Sequence, residues 1–143
     1  MGPRRYDPMP RRVLLVDDDP SVLLSLKAVL ELHHFDVETA VSVAEAQRKL
    51  AAGAFELVVT DVRMEREASG FEVIRTAARQ PCRPATAVLT AYLPQNEQWK
   101  HEPVDAVLVK PIGTRDLVQQ LENLLARHQT RQKSQRPDDV SGP

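Results

Sequence analysis

The sequence predicts an α/β fold in which helices cover both faces of an open, doubly wound parallel sheet. Four short runs are apolar almost throughout, which suits central strands that are covered on both faces. These runs lie at residues 13–16, 57–59, 85–89 and 104–109. Segments with the apolar spacing of helices separate the runs. A strand followed by a helix, repeated five times, predicts a doubly wound fold with right-handed crossovers.

The first strand and the first helix have a clear boundary. Asp19 and Pro20 follow the strand at residues 13–16. They favour a helix start, because aspartate caps helix N-termini and proline suits the first helical position. The apolar face of the helix is then formed by Val22, Leu23, Leu26, Val29 and Leu30.

The next strand and helix are marked by alternation and by a capping box. Residues 35–39 alternate in polarity and predict an edge strand. The box that starts at Ser42 opens a helix at residues 44–52, and Gly53 ends it.

The second half of the chain predicts three further helices. Residues 71–78 form one of them after Gly70. The last helix has an apolar face formed by Leu117, Val118, Leu121, Leu124 and Leu125. The segment at residues 93–102 is the weakest helix, because Pro94 fits only its first turn and Pro103 stops it.

The domain organisation follows from proline and from apolar periodicity. The 143 residues predict one domain, at residues 11–129. Residues 1–10 and 130–143 lack an apolar period and hold five of the 11 prolines, so we expect disordered tails. No apolar block follows Leu125, so we expect no attached output domain and no DNA-binding domain.

Composition excludes several classes of protein. Nineteen basic and 20 acidic residues give a net charge of −1, so no overall field favours nucleic acid or an anionic membrane. The longest purely aliphatic run, residues 13–16, is far shorter than the roughly 20 residues of a membrane span. The single cysteine, Cys82, excludes an internal disulfide. Because no secretory signal is recognisable either, we expect a cytoplasmic protein.

Polar residues collect at one edge of the predicted sheet. Each of them ends or directly follows a buried strand: Asp17, Asp18, Asp61, Thr90 and Lys110. Ligands of open α/β sheets bind outside the carboxyl ends of the strands. Clustered carboxylates need a proton or a cation, and hard oxygen ligands at an open site suit Mg²⁺. The chemistry that fits is phosphoryl transfer to a carboxylate, with metal and lysine supplying positive charge.

Four motifs in this order resemble the receiver domain of two-component response regulators. They are Val-Leu-Leu-Val-Asp-Asp-Asp-Pro, Val-Val-Thr-Asp-Val-Arg-Met, Val-Leu-Thr-Ala and Val-Leu-Val-Lys-Pro. The resemblance covers residues 12–127. It implies a flavodoxin-like fold of five parallel strands in the order 2-1-3-4-5, with helices on both faces.

The resemblance also implies a role for each residue at this edge. Asp61 would be the phospho-acceptor, and Thr90 and Lys110 would contact the phosphoryl group. Asp18 would bind Mg²⁺ directly, and Asp17 would bind it partly through water. The main-chain carbonyl of Arg63 would be a further metal ligand, and the Lys110–Pro111 peptide would be cis.

Three departures from the family pattern put parts of this picture in question. The loop after the acceptor, residues 64–70, lacks the usual proline and is one residue longer. Val107 stands where the family often has a mobile tyrosine or phenylalanine. Tyr92 and Arg63, each two residues beyond Thr90 or Asp61, could shield an acyl phosphate from water, so we expect slow self-dephosphorylation.

We therefore expect a phospho-accepting signalling switch that is not a turnover enzyme. The resemblance implies a sensor histidine kinase or a histidine phosphotransfer protein as donor, an unknown downstream protein as target, and no membrane partner. A homodimer is possible. The alternative is a phosphorylation-independent interaction module on the same fold, which Val107 and the unusual loop favour. A phosphohydrolase is a third hypothesis, but the Asp61 loop lacks the Asp-x-Asp arrangement of dehalogenase-like phosphatases.

Overall fold

The computed structural model describes residues 11–66, 68–91 and 97–134. These residues form five strands and four α-helices, which alternate along the chain except between the fourth and fifth strands. They are β1 (Arg11–Val16), α1 (Pro20–Leu32), β2 (Phe35–Ala40), α2 (Val43–Ala52), β3 (Leu57–Thr60), α3 (Gly70–Ala78), β4 (Ala85–Thr90), β5 (Ala106–Val109) and α4 (Thr114–Ser134). A 3-10 helix, Glu97–His101, precedes β5. The strands form one parallel sheet in the order β2-β1-β3-β4-β5, which confirms the predicted fold class.

Alternate residues of the central strands pack on opposite faces of the sheet. Val13 and Leu15 belong to a cluster completed by apolar residues of α1 and α4. Leu14 and Val16 belong to a second cluster, completed by residues of α2 and α3. Each of these four side chains is at most 2% exposed, which explains why β1 is apolar without alternation. The two layers of helices hold the strands in place, and the strand ends meet at one edge.

The predicted helix starts are capped as the sequence indicates. The Asp19 carboxylate accepts a hydrogen bond from Ser21 N at 3.0 Å, and Pro20 is the first residue of α1. Ser42 Oγ accepts from Glu45 N at 3.1 Å at the start of α2. Both bonds satisfy amides that have no acceptor inside the helix.

Three boundaries differ from the sequence prediction. Within the described part of residues 93–102, the structure has only the 3-10 helix, where an α-helix was predicted. Strand β5 begins at Ala106 rather than at residue 104, because the Asp105 carboxylate accepts from Thr86 N at 2.9 Å. Helix α4 continues to Ser134, five residues past the predicted domain end at residue 129.

The predicted tail at residues 1–10, and the part of the other tail after residue 134, lie outside the described residues. Tyr92, to which the sequence assigns a shielding role, also lies outside them. Among the residues that the structure does describe, no helix is long and apolar enough to cross a membrane.

Candidate functional site

The carboxyl ends of four strands bring the polar residues to one edge of the sheet. Asp17 follows β1, Asp61 follows β3, Thr90 ends β4 and Lys110 follows β5. The register places Val16 opposite Thr60, Thr60 opposite Val88 and Thr90 opposite Val109, so β4 and β5 extend two residues beyond β1 and β3 at this edge. Residues from distant parts of the chain therefore share one small region.

Lys110 joins the two carboxylates of this edge. Its Nζ lies 3.5 Å from Asp61 Oδ2 and 3.7 Å from Asp17 Oδ2. The exposed fractions of the side chains are 29% for Lys110, 15% for Asp61 and 8% for Asp17. Because water is largely excluded from the acids, the ammonium stabilises both charges more than it would at an exposed ion pair.

Asp17 is the most deeply buried acid of the group. Burial raises the pKa of its carboxyl above the usual value of 3.8, and repulsion from Asp61 and Asp18 acts in the same direction. A hydrogen bond from Asp19 N at 3.0 Å to Asp17 Oδ1, and the charge of Lys110, partly offset this rise in pKa. The site thus holds negative charge that a cation would stabilise further.

Asp61 is held by its own backbone and by the loop that follows. Its N–H donates to Val16 O at 3.0 Å, which fixes the residue beside the end of β1. Its Oδ1 accepts from Arg63 N at 3.3 Å, and Oδ2 faces Lys110. One carboxylate oxygen is thus oriented by the loop and the other by lysine.

The other predicted site residues lie near the same edge of the sheet. Asp18 is exposed, and its charge acts on Asp17. Thr90 is buried, and its main-chain oxygen accepts from Lys110 N at 2.9 Å. Arg63 is exposed in the acceptor loop. The Lys110–Pro111 peptide is cis, as the family resemblance implies.

Gly70 is a site residue that the sequence analysis did not single out. A Cβ built on it would lie 1.8 Å from Asp61 O and 2.8 Å from Val62 Cα. Its N–H donates to Val62 O at 2.8 Å. The first turn of α3 therefore packs directly on the backbone of Asp61 and Val62, and only glycine leaves room for this approach. A glycine at a predicted helix start was the available signal, but it does not reveal the contact.

The oxygen donors at this edge fit Mg²⁺ in kind. Across residues 11–66, 68–91 and 97–134, no group of three acidic, histidine or cysteine side chains is arranged to hold a metal ion. Two carboxylates, Asp17 and Asp61, do converge, and Mg²⁺ in proteins usually binds one or two carboxylates and keeps several waters. The pair of acids, one with a raised pKa, therefore suits a partly hydrated hard cation better than a closed protein cage.

Val107 stands where the family often has a tyrosine or phenylalanine, and the structure shows its surroundings. Val107 pairs with Val88 on β4 and is half-buried. It packs with Trp99 against a third apolar cluster, which contains Val62, Phe71, Ile74 and Val88. No aromatic ring stands at this strand position, and the aromatic groups of the cluster come from Phe71 of α3 and from Trp99 of the 3-10 helix.

Comparison with known proteins decides the family. The sequence profile of the response regulator receiver domain matches residues 13–122, which include every residue of this edge. The chain is a response regulator receiver domain. Proteins with this domain act as signalling switches in two-component systems.

The receiver domain resembles several curated regulators in sequence. It is 32% identical over 134 residues to the transcriptional regulatory protein PrrA of Mycobacterium bovis, covering 92% of the chain. It is 35% identical over 136 residues to the response regulator MprA of Mycolicibacterium vanbaalenii, covering 94% of the chain. The chain spans 57% and 55% of the lengths of these relatives.

Solved structures of receiver domains have the same fold. A CheY-like receiver domain from Methanospirillum hungatei superimposes with a TM-score of 0.78 at 26% identity, covering 85% of this chain and 98% of that one. The response regulator TrrA of Thermotoga maritima, solved in complex with Mg²⁺ and BeF, has a TM-score of 0.67 at 26% identity, covering 80% and 98%. That protein binds the metal for which the oxygen donors of this chain are suited.

The prediction about partners is wrong. It took the output to be the binding of a separate downstream protein, because no DNA-binding domain was recognised in the sequence. PrrA and GlrR are named as transcriptional regulatory proteins, and the receiver domain matches only part of each relative, as little as 26% of GlrR from Escherichia coli. Such regulators combine a receiver with an effector region, which lies beyond the part that matches. The cytoplasmic location and the slow self-dephosphorylation stay predictions.

Proposed function

We propose that this receiver domain accepts a phosphoryl group on Asp61, with Mg²⁺, from a phosphohistidine donor. The observation that carries the proposal is the position of the Lys110 ammonium, 3.5 Å from Asp61 Oδ2 and 3.7 Å from Asp17 Oδ2. A carboxylate with a nearby fixed cation is a nucleophile whose product, an acyl phosphate, carries additional negative charge. The names of the relatives favour transcriptional control as the purpose of this switch.

The residues of the chain have distinct tasks in the transfer. A carboxylate oxygen of Asp61 forms the new bond to phosphorus, while the bond from phosphorus to the donor nitrogen breaks and the imidazole leaves. The Lys110 ammonium stabilises the negative charge on the phosphoryl oxygens as the phosphoryl group moves towards Asp61. The buried Thr90 ends the neighbouring strand β4, where its hydroxyl can donate to a phosphoryl oxygen.

Asp17, Asp18, Asp61 and the main-chain carbonyl of Arg63 are the groups that would hold Mg²⁺. The ion, when bound, would neutralise negative charge on the phosphoryl oxygens. The raised pKa of Asp17 is consistent with this role, since a cation stabilises the ionised form that burial disfavours. Oxygen ligands on the edge of an open sheet also leave room for the waters that Mg²⁺ retains.

The direct test is covalent. The protein is incubated with acetyl phosphate and Mg²⁺, and the intact mass is measured. We expect an adduct of one phosphoryl group on the wild type and on Asp36→Asn, which changes an exposed aspartate of β2. The adduct should be absent from Asp61→Asn and should not form in EDTA.

A phosphorylation-independent interaction module is the second candidate, and Val107 favours it. Without a ring at this position, a displacement of Thr90 has no aromatic side chain to move on β5. A wild-type protein that gains no adduct under these conditions would support this module and contradict the phosphoryl switch.

A further inference from the structure

The loop after the acceptor, residues 62–69, contacts the N-terminus of α2 through two neighbouring residues. Met64 packs against the apolar cluster that contains Val43, the first residue of α2. The Glu65 carboxylate accepts a hydrogen bond from Val43 N, at 3.4 Å to Oε1 and 3.3 Å to Oε2. One apolar and one polar contact therefore fasten the loop to this helix.

The Glu65 contact completes the cap of α2. Ser42 Oγ takes the N–H of Glu45, and Glu45 Oε1 takes the N–H of Val41 at 2.8 Å. The N–H of Val43 has no acceptor inside the helix, because the first amides of any α-helix lack one. Glu65 supplies that acceptor from outside the helix, and its charge is favourable at the positive end of the helix dipole.

The rest of the loop is held on its other side. The Arg66 guanidinium pairs with Glu72 of α3. Met64 N and Ser69 Oγ both donate to Arg66 O, each at 3.2 Å. The segment from Asp61 to Met64 is thus held at one end by β3 and at the other end by the contacts of Met64 and Glu65 with α2. Arg63 stands in the middle of this segment.

We propose that Glu65 is a positioning residue for the acceptor site. The hydrogen bond from Val43 N to Glu65 holds the segment at residues 61–64 in place. It thereby keeps the main-chain carbonyl of Arg63 in a position to bind a metal ion at Asp61. The proposal rests on the proposed function, in which that carbonyl is a metal ligand. A loop that is already ordered does not lose conformational entropy when the ion binds. Removing the contact should therefore weaken metal binding and leave the transfer itself intact.

The first test separates metal affinity from the rate of transfer. Phosphorylation by acetyl phosphate is measured across a range of Mg²⁺ concentrations. In Glu65→Ala the half-saturating Mg²⁺ concentration should rise roughly threefold to tenfold. This is less than the usual loss of metal affinity when a buried hydrogen-bond partner of a metal ligand is removed. The rate at saturating Mg²⁺ should stay within about twofold of the wild type.

Two glutamate variants calibrate this result. Glu65→Gln should lie between the wild type and Glu65→Ala, because its amide oxygen still accepts from Val43 N but carries no charge. Glu56→Ala removes another exposed glutamate, located before β3 at the opposite end of the sheet, and should match the wild type.

A double-mutant cycle tests the hydrogen bond itself. Val43→Pro removes the N–H, and proline suits the first position of a helix. The preceding Ser42 is extended, with φ −152° and ψ 164°, which is compatible with a following proline. Val43→Ala controls for the lost side chain. Glu65→Ala should raise the half-saturating Mg²⁺ concentration in the Val43→Ala background but not in the Val43→Pro background.

A measurement without phosphodonor keeps this inference distinguishable from the proposed function. Mg²⁺ is titrated while the amide signals of residues 61–64 and of Val43 are followed by NMR. Glu65→Ala should weaken the titration and speed hydrogen exchange at Val43. If it does so in a protein that forms no adduct, the proposed function fails and the role of Glu65 stands. An unchanged titration in Glu65→Ala, or a wild type that binds no Mg²⁺, overturns the role of Glu65.

Discussion

The Nζ atom of Lys110 lies 3.5 Å from Asp61 Oδ2, although β3 and β5 are separated in the sheet by β4. The lysine side chain therefore crosses the end of β4 to reach Asp61. The same ammonium lies 3.7 Å from Asp17 Oδ2, at the end of β1 on the other side of β3. A single cation thus links residues that follow three of the five strands.

Removing this cation should destabilise the fold. Without Mg²⁺ at pH 7, Lys110→Ala should lower the free energy of unfolding by about 1 kcal/mol, because two poorly solvated carboxylates lose their counterion. Urea denaturation measures the loss. In an Asp61→Asn background the same substitution should cost less, since only Asp17 then remains charged. An equal loss in both backgrounds would show that the Lys110–Asp61 contact contributes nothing to stability.

Asp17→Asn should stabilise the metal-free domain at neutral pH. The pKa of Asp17 is raised above 3.8, chiefly by burial, so the folded state binds this proton more tightly than the unfolded chain does. The free energy of unfolding therefore falls as the pH rises from 3.8 through the folded-state pKa of Asp17. Asp17→Asn has no carboxyl group at this position and does not show this fall. In EDTA, the Tm of the variant should exceed that of the wild type at pH 7, and the difference should disappear in acid. A lower Tm for Asp17→Asn than for the wild type at pH 7 would contradict the predicted direction of the effect.

Gly70→Ala should damage both the fold and the acceptor. Its methyl group would meet the main-chain oxygen of Asp61 at 1.8 Å, so the start of α3 and the acceptor backbone must separate. We expect a loss of about 1–3 kcal/mol in the free energy of unfolding, and slower phosphorylation in the fraction that stays folded. Gly113→Ala is the matched control, because a Cβ there meets nothing within 4 Å. Equal losses of stability and of phosphorylation rate in the two variants would show that Gly70 has no specific role at the site.

Asp105 should prove important for holding α4 on the sheet. Its Oδ2 accepts from Thr86 N at 2.9 Å and from Thr86 Oγ1 at 3.2 Å, and its Oδ1 lies 3.7 Å from Arg131 Nη1 of α4. Asp105→Ala leaves the Thr86 amide without this acceptor and should cost about 1–3 kcal/mol of unfolding free energy. Asp105→Asn keeps an acceptor and should cost less. Hydrogen exchange at Thr86 should speed up in the alanine variant only.

The position of the site could be predicted because strand ends are visible in the sequence. Asp17, Asp61 and Lys110 each follow a run of buried residues, and a parallel sheet brings such positions to one edge. Gly70 and Glu65 could not be found in this way. Their contacts depend on how the loop after Asp61 folds back onto two helices, and no local pattern encodes that path.

The boundaries of α4 and β5 were predicted wrongly because they also depend on tertiary contacts. Periodicity loses its signal after Leu125, yet α4 continues to Ser134. His128 Nε2 donates to Arg83 O at 2.8 Å, and Arg131 pairs with Asp105, so tertiary contacts support turns that have no apolar stripe. Asp105 falls within the apolar run at residues 104–109, but its side chain accepts from the Thr86 amide, and β5 begins only at Ala106.

The strand order has a consequence for how the domain assembles. β3 lies at the centre of the sheet, and Lys110, which faces Asp61 at the end of β3, follows β5, an edge strand and the last strand of this sheet along the chain. Such long-range pairing is slow relative to local helix formation. In the proposed function, Asp61 therefore becomes competent for modification only when β5 has docked. We expect a partly unfolded chain that already contains Asp61 to accept no phosphoryl group.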